Sequence, residues 1–217
     1  EADDLIAAGL VQVNGKVIVT MGYKVQPSDE VKYNGSLIKS EKKKYLVLNK
    51  PKGFITSITD KKAKKTVEEL VGNACRERLY PVGSMDRTST GVLLFTNDVD
   101  LAKKMAHPKN GAVQIISVVL DKPLQKTHLT AIAKGMELED GKIDVEEIKY
   151  IDERTKREVG LRLHSGKHRL VNRIFDKFGY TIEKMDRVSF AGFTKKNLSR
   201  GQWRFLDPKE VDFLKTR

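Results

Sequence analysis

A fully apolar run, Val92, Leu93, Leu94 and Phe95, follows directly on a polar, glycine-bounded loop that reads Gly83-Ser84-Met85-Asp86-Arg87-Thr88-Ser89-Thr90-Gly91. A short unbroken apolar run next to turn residues reads as a buried strand. The loop then lies at the lip of that strand and carries one acid, Asp86. A carboxylate held at such a lip is well placed for chemistry, although the same spacing also suits an ordinary surface turn.

Two segments are visible along the chain. In residues 1–40, Leu5, Ile6 and Ala8 sit on a helix end with Gly9 as its C-cap. Val11, Val13, Val17 and Val19 alternate around Asn14-Gly15, a strong hairpin signal. Tyr23, Val25, Val31 and Tyr33 repeat the pattern ahead of a second Asn-Gly pair, Asn34-Gly35. Ser40-Glu41-Lys42-Lys43-Lys44 is a charged linker. Residues 45–217 read as an α+β domain built on a mixed, mainly antiparallel sheet with flanking helices. Strands are predicted over 45–48, 92–95, 115–120, 145–151 and 159–163. Helices are predicted over 66–70, 98–105, 125–134 and 168–178. Thr66 with Glu69 has the form of a capping box. Asn49-Lys50-Pro51-Lys52-Gly53 is predicted as a turn from its Pro and Gly. In the 168–178 helix, Leu170, Val171, Ile174, Phe175 and Phe178 form a core stripe. Arg169 and Arg173, four apart on another face, suit a pair of phosphates or a solvated surface.

Charge narrows the partner. The chain has 217 residues with 41 Lys plus Arg against 29 acids, a net charge of +12. Residues 1–44 hold 7 basic and 6 acidic side chains, leaving 34 and 23 for residues 45–217. A net +11 on the larger segment favours a polyanion, most simply nucleic acid. One cysteine, Cys75, excludes an internal disulfide and a cysteine-rich metal site. The four histidines show no metal-ligand spacing with acids, and Gly53, Gly83 and Gly91 do not form a phosphate loop. No apolar run reaches transmembrane length and no signal-peptide pattern is present, so a cytoplasmic monomer without membrane contact is expected.

The string Gly9-Leu10-Val11-Gln12-Val13-Asn14-Gly15-Lys16 resembles the small RNA-binding domain named after ribosomal protein S4. The opening helix of that domain is missing from residues 1–40, so a partial module, unstable alone, is expected. Four blocks in residues 45–217 resemble the RNA pseudouridine synthases of the RsuA/RluB/RluF family. They are Leu48-Asn49-Lys50-Pro51-Lys52-Gly53; the Asp86 loop with Thr96-Asn97-Asp98 after its strand; Leu120-Asp121-Lys122-Pro123-Leu124; and the stretch from His164 to Phe175, which contains Gly166-Lys167-His168-Arg169-Leu170-Val171-Asn172-Arg173. They stand in family order and at family spacing.

The resemblance implies an isomerase that converts uridine to pseudouridine in structured RNA, ribosomal RNA above all. Uracil leaves carbon 1′ of ribose, turns, and rejoins through carbon 5. No redox change, metal or cofactor is needed. The base must first leave its stack, at a cost of a few kcal/mol. Asp86 matches the catalytic aspartate, as nucleophile or as base. Three neighbours depart from the family pattern. Ser84 stands where the family has arginine, Ile116 where a tyrosine packs on the base, and Asn172 where an arginine pairs with the aspartate. Arg87, next in sequence, is a candidate to replace part of that charge, or to meet a phosphate. Lys50, Arg87, Lys167, Arg169, Arg173 and Arg187 are the implied RNA contacts. The three departures also admit a rival reading, an RNA-binding protein of the same fold with a disabled site.

Overall fold

The computed structural model describes residues 2–26, 28–38, 41–56, 65–107, 111–139, 141–164 and 169–216. The chain divides into two compact units, Glu1–Lys42 and Lys43–Arg217.

The first unit opens on α1 (Ala2–Ala7). Gly9, at φ 71°, closes it by donating to the Ile6 carbonyl, a left-handed stop that glycine adopts without strain. The strands β1 (Val11–Val13), β2 (Lys16–Val17), β3 (Val31–Tyr33) and β4 (Ser36–Leu37) lie in the order β2-β1-β3-β4. Both Asn-Gly pairs make the predicted hairpin turns, with positive φ at Asn14, Gly15, Asn34 and Gly35. The Asn14 amide also ties down the 26–30 loop, donating to Asp29 and accepting from the Glu30 N–H at 2.9 Å each. The predicted alternation is only partly realised. Val13 is buried, while Val17 and Val19 are exposed, and Tyr23 and Val25 lie outside any strand. A sheet with two-residue outer strands is too small to cover every second valine.

The second unit is larger. Its elements are β5 (Tyr45–Lys50), α2 (Val67–Val71), β6 (Tyr80–Pro81), β7 (Thr90–Thr96), α3 (Val99–Met105), β8 (Val113–Leu120), α4 (Lys126–Ala133), β9 (Met136–Leu138), β10 (Gly141–Ile143), β11 (Glu147–Tyr150), β12 (Glu158–His164), α5 (Leu170–Asp176), β13 (Ile182–Phe190), β14 (Phe193–Thr194), β15 (Trp203–Phe205) and α6 (Pro208–Lys215). Among the described residues nine strands join one sheet, in the order β11-β12-β8-β13-β7-β5-β15 with β14 on β13 and β6 on β7. Every pair is antiparallel except β13 with β7. The fold is therefore α+β with a mixed, mainly antiparallel sheet.

The apolar run 92–95 is explained by burial on both faces of β7. Val92 and Leu94 point into one cluster with Tyr45, Val47, Phe190 and Leu214. Leu93 and Phe95 point into the opposite one with Leu46, Leu48, Val67 and Val71. Alternate residues of a strand face opposite sides, so a strand covered twice has no polar positions to spare. A third cluster packs α4 and α5 over β8, β11 and β12 through Val118, Ile132, Leu161, Ile174 and Phe175.

The parallel contact of β7 with β13 sets the centre of the sheet. Gly91 is registered against Arg187 and has φ 110°. A Cβ there would lie 2.2 Å from the Arg187 carbonyl oxygen, so only glycine fits. Asp186 clamps the same junction, accepting from Thr90 Oγ1 at 2.7 Å and Arg200 Nη2 at 2.9 Å and pairing with Lys195. Burial acts to raise its pKa, but the bonds from Lys195, Thr90 and Arg200 prevail and lower it. The predicted turn at 49–53 is shorter than expected. β5 continues through Asn49 and Lys50, opposite Val92 and Gly91, and both residues are buried. The Asn49 amide donates to the Leu198 carbonyl and accepts from Arg200, so a polar pair closes the strand from within. The turn proper begins at Pro51.

Candidate active site

The loop between β6 and β7 is held by groups outside it. Lys50 reaches up from the end of β5 and its ammonium donates to the carbonyls of Pro51 at 3.3 Å, Asp86 at 3.0 Å and Ser89 at 2.7 Å. Thr56 Oγ1 donates to the Met85 carbonyl and accepts from the Met85 N–H. The Ser89 N–H closes a turn onto the Asp86 carbonyl at 3.1 Å. Lys50 is wholly buried, which corrects the expectation that it meets RNA. Its charge is spent on backbone carbonyls. Burial pushes its pKa down, with the Arg187 charge adding to the fall and Asp86 opposing it, to about 8.

Above this anchor lies a solvent-open cleft of about 520 Å³. The loop contributes Ser84, Asp86 and Ser89; β8 contributes Gln114 and Ile116; the start of α5 contributes Arg169 and Asn172; β13 contributes Met185 and Arg187. Asp86, Ser84, Ile116 and Asn172, all singled out from sequence, thus meet in one place. Ile116 is buried and registered against Arg187 across β8 and β13.

The cations are distributed differently from the sequence expectation. Arg169 Nε lies 3.7 Å from Asp86 Oδ2. Arg169 has left-handed backbone angles, φ 49° and ψ 32°, and is the N-cap of α5. The helix therefore begins later than predicted, and its four-residue spacing does not carry Arg169 and Arg173 to one face. Arg173 instead lines a different cleft with Glu137 and Glu139. They do not form the predicted phosphate pair. Arg187, expected on the surface, is 4% exposed. Its Nε donates to the Val92 carbonyl at 2.6 Å, and its guanidinium lies over the Phe190 ring at 4.4 Å. Its buried Nη2 has no partner among the described residues, and burial lowers its pKa. Arg187 thus lies in the lining of the cleft and is not the freely exposed phosphate contact expected from sequence. Arg87 is exposed, and Gly53 N–H donates to its carbonyl at 2.7 Å. Lys167 lies outside the described residues.

Sequence reasoning missed β13 and its Met185, and it named Arg187 as an RNA contact rather than as a buried residue of the cleft. Charged residues at Glu183, Lys184, Asp186 and Arg187 mask its apolar alternation. The Lys50 ammonium had a readable sign. It ends an unbroken strand in which four apolar residues, Tyr45 to Leu48, precede Asn49, a position where a side chain is buried.

The cleft beside the central mixed sheet brings one carboxylate, Asp86, together with the guanidinium of Arg169. Residues 44–177 match the RNA pseudouridylate synthase family and residues 1–31 match the S4 domain. The chain is 34% identical over 218 residues to the ribosomal large subunit pseudouridine synthase B of Bacillus subtilis, spanning 99% of this chain and 89% of that one. It is 28% identical over 223 residues to the protein of the same name from Vibrio cholerae, spanning 99% and 69%. A crystal structure of a pseudouridylate synthase shares the fold, with TM-score 0.72 at 23% identity over 98% of this chain and 92% of that one. The chain belongs to the RNA pseudouridine synthase family and is by that membership an isomerase with an RNA-binding S4 domain. Among the described residues no helix is long and apolar enough to cross a membrane.

Proposed function

We propose that this chain converts a specific uridine to pseudouridine in structured ribosomal RNA, with Asp86 as the catalytic residue. Residues 45–217 supply the chemistry and residues 1–40 a second hold on the RNA. The observation that carries this reading is the position of Asp86, at the mouth of the cleft, on a loop anchored from below, with a guanidinium 3.7 Å away. The cleft is open to solvent, as an extruded base would need. Ile116 and Met185 offer apolar contact, and the Gln114 and Asn172 amides offer donors and acceptors to the edge of the uracil. Ile116 provides no ring face for stacking, so the base is held by packing and hydrogen bonds rather than by an aromatic platform. Exposed Arg87 beside the loop is suited to a flanking phosphate. The two relatives named above act by name on the ribosomal large subunit, which favours ribosomal RNA as the substrate.

The test is tritium release from ribosomal RNA labelled at carbon 5 of uridine. The protein should release tritium, and Asp86→Asn should abolish release while leaving RNA binding within about threefold. Equal release by the two proteins would remove Asp86 from the chemistry. Binding without release by either would favour the reading of a disabled site, which rests on the uncharged side chains of Ser84, Ile116 and Asn172 in the cleft.

A further inference from the structure

Of Lys50, Arg169 and Arg187, only Arg169 reaches the Asp86 carboxylate. Lys50 bonds the Asp86 backbone carbonyl, not the side chain. Arg187 is turned to the Val92 carbonyl and the Phe190 ring. Among the described residues Arg169 alone is within ion-pair distance of the Asp86 carboxylate, at 3.7 Å. We propose that Arg169 is a positioning residue for Asp86, supplying from the first turn of α5 the charge that Asn172, three residues further along the same cleft wall, does not carry. The inference rests on Asp86 being the reacting residue.

Three features of Arg169 support a role aimed at the loop rather than at the helix. It is the N-cap of α5, yet its side chain makes no capping bond, and Ser, Thr, Asp or Asn serve that position better. A cation at a helix start is opposed by the helix dipole. The residue also adopts a left-handed backbone that is uncommon outside glycine and asparagine, and such conformations gather at functional sites. Those angles turn the side chain out of the helical i, i+4 row and toward Asp86. The Arg169 carbonyl still accepts from the Arg173 N–H at 3.1 Å, so the helix keeps its first bond while the side chain serves the cleft. Asn172, Arg169 and Asp86 line the same cleft, so a charge introduced at 172 enters the cleft that holds the carboxylate.

The experiment is single-turnover tritium release at saturating protein, with RNA affinity measured alongside. Arg169→Gln should slow the reaction about 10- to 100-fold, the scale of losing a preorganised contact at a reacting group, with affinity changed less than about threefold. Arg169→Lys should recover part of the rate, and adding Asn172→Arg to Arg169→Gln should recover more, because the charge is restored from the neighbouring position. A purely structural N-cap role predicts no rescue by Asn172→Arg and so overturns the proposal. A simple phosphate contact predicts weaker binding with an unchanged saturated rate, which also overturns it. An active protein that is silenced by Asp86→Asn but indifferent to Arg169→Gln rejects this inference and leaves the proposed function standing. A second readout needs no activity. If the pair exists, Asp86→Asn frees Arg169 for phosphate, so Arg169→Gln should weaken RNA binding several-fold more in the Asp86→Asn background than in the wild type. Equal effects in both backgrounds overturn the pairing.

Discussion

Lys50→Met tests whether a buried ammonium anchors the Asp86 loop. The lysine sits in a fully buried strand beneath Asp86, and its pKa falls from 10.5 to about 8 because burial and the nearby Arg187 charge disfavour its protonated form. In the unfolded chain the same group holds its proton until about pH 10.4. Between those values the unfolded state binds more protons than the folded one, so folding stability must rise with pH across the window. Below about pH 8 the cost of the buried charge is present in full, and above about pH 10.5 it is gone. At about 1.4 kcal/mol per pH unit, the whole change comes to about 3 kcal/mol. Other groups titrate in this range, so the quantity to measure is the stability difference between wild type and Lys50→Met, from urea unfolding at steps from pH 7 to 10.5. The wild type should gain on the variant by about 3 kcal/mol over that interval. The neutral amine still has two N–H donors for the Pro51, Asp86 and Ser89 carbonyls, so the anchor survives deprotonation. In Lys50→Met those carbonyls lose their donor, and single-turnover rate should fall more than RNA affinity. A flat difference, or one that shrinks as pH rises, would refute the reading of Lys50 as a buried cation.

Two further outcomes are expected. Gly91→Ala should destabilise the protein by about 2–5 kcal/mol, because the new methyl meets the Arg187 carbonyl at 2.2 Å and the backbone is at φ 110°; a loss below about 1 kcal/mol in urea unfolding would mean that β7 and β13 separate easily. Affinity for structured RNA should fall steeply with salt, and removing residues 1–40 should change that slope only slightly, since residues 45–217 hold a net +11 of the total +12; a complex indifferent to salt, or lost wholly with the deletion, contradicts it.

How much was legible differs between fold and site. The strand at 92–95, the capping box at Thr66 with Glu69, the helix at 98–105 and both Asn-Gly turns carry local signals that the tertiary structure keeps. β13 was illegible because its alternation is broken by side chains that serve the Asp186 clamp and the cleft. α6, opened by Asp207 and Glu210 in a capping box with Pro208 in the first turn, had a readable start signal that sequence reasoning passed over. Family spacing brought Ser84, Asp86, Ile116 and Asn172 to one cleft. It did not reveal the state of each cation, because positive charge in sequence looks alike whether it ends on a phosphate, a carbonyl or a carboxylate. Lys50, Arg187 and Arg169 have these different fates, and only burial and geometry separate them.

That separation bears on the altered positions. Reading the cleft by substitution alone, the loss of charge at 84 and 172 leaves a bare carboxylate, and a disabled enzyme follows. The folded chain has a guanidinium against Asp86 and two more cations buried beneath it, Lys50 and Arg187, with no second carboxylate lining the cleft. Burying two positive charges without a buried acid to match them costs stability. A protein under no demand at this site would be more stable with apolar residues there. The arrangement makes sense where negative charge is delivered from outside, by a phosphate backbone at the rim and by a base that carries negative charge when its bond to ribose breaks. The chain therefore bears the stability cost of two buried cations while lacking the ring and the two arginines of the family pattern, a combination that supports the proposed activity over the reading of a disabled site.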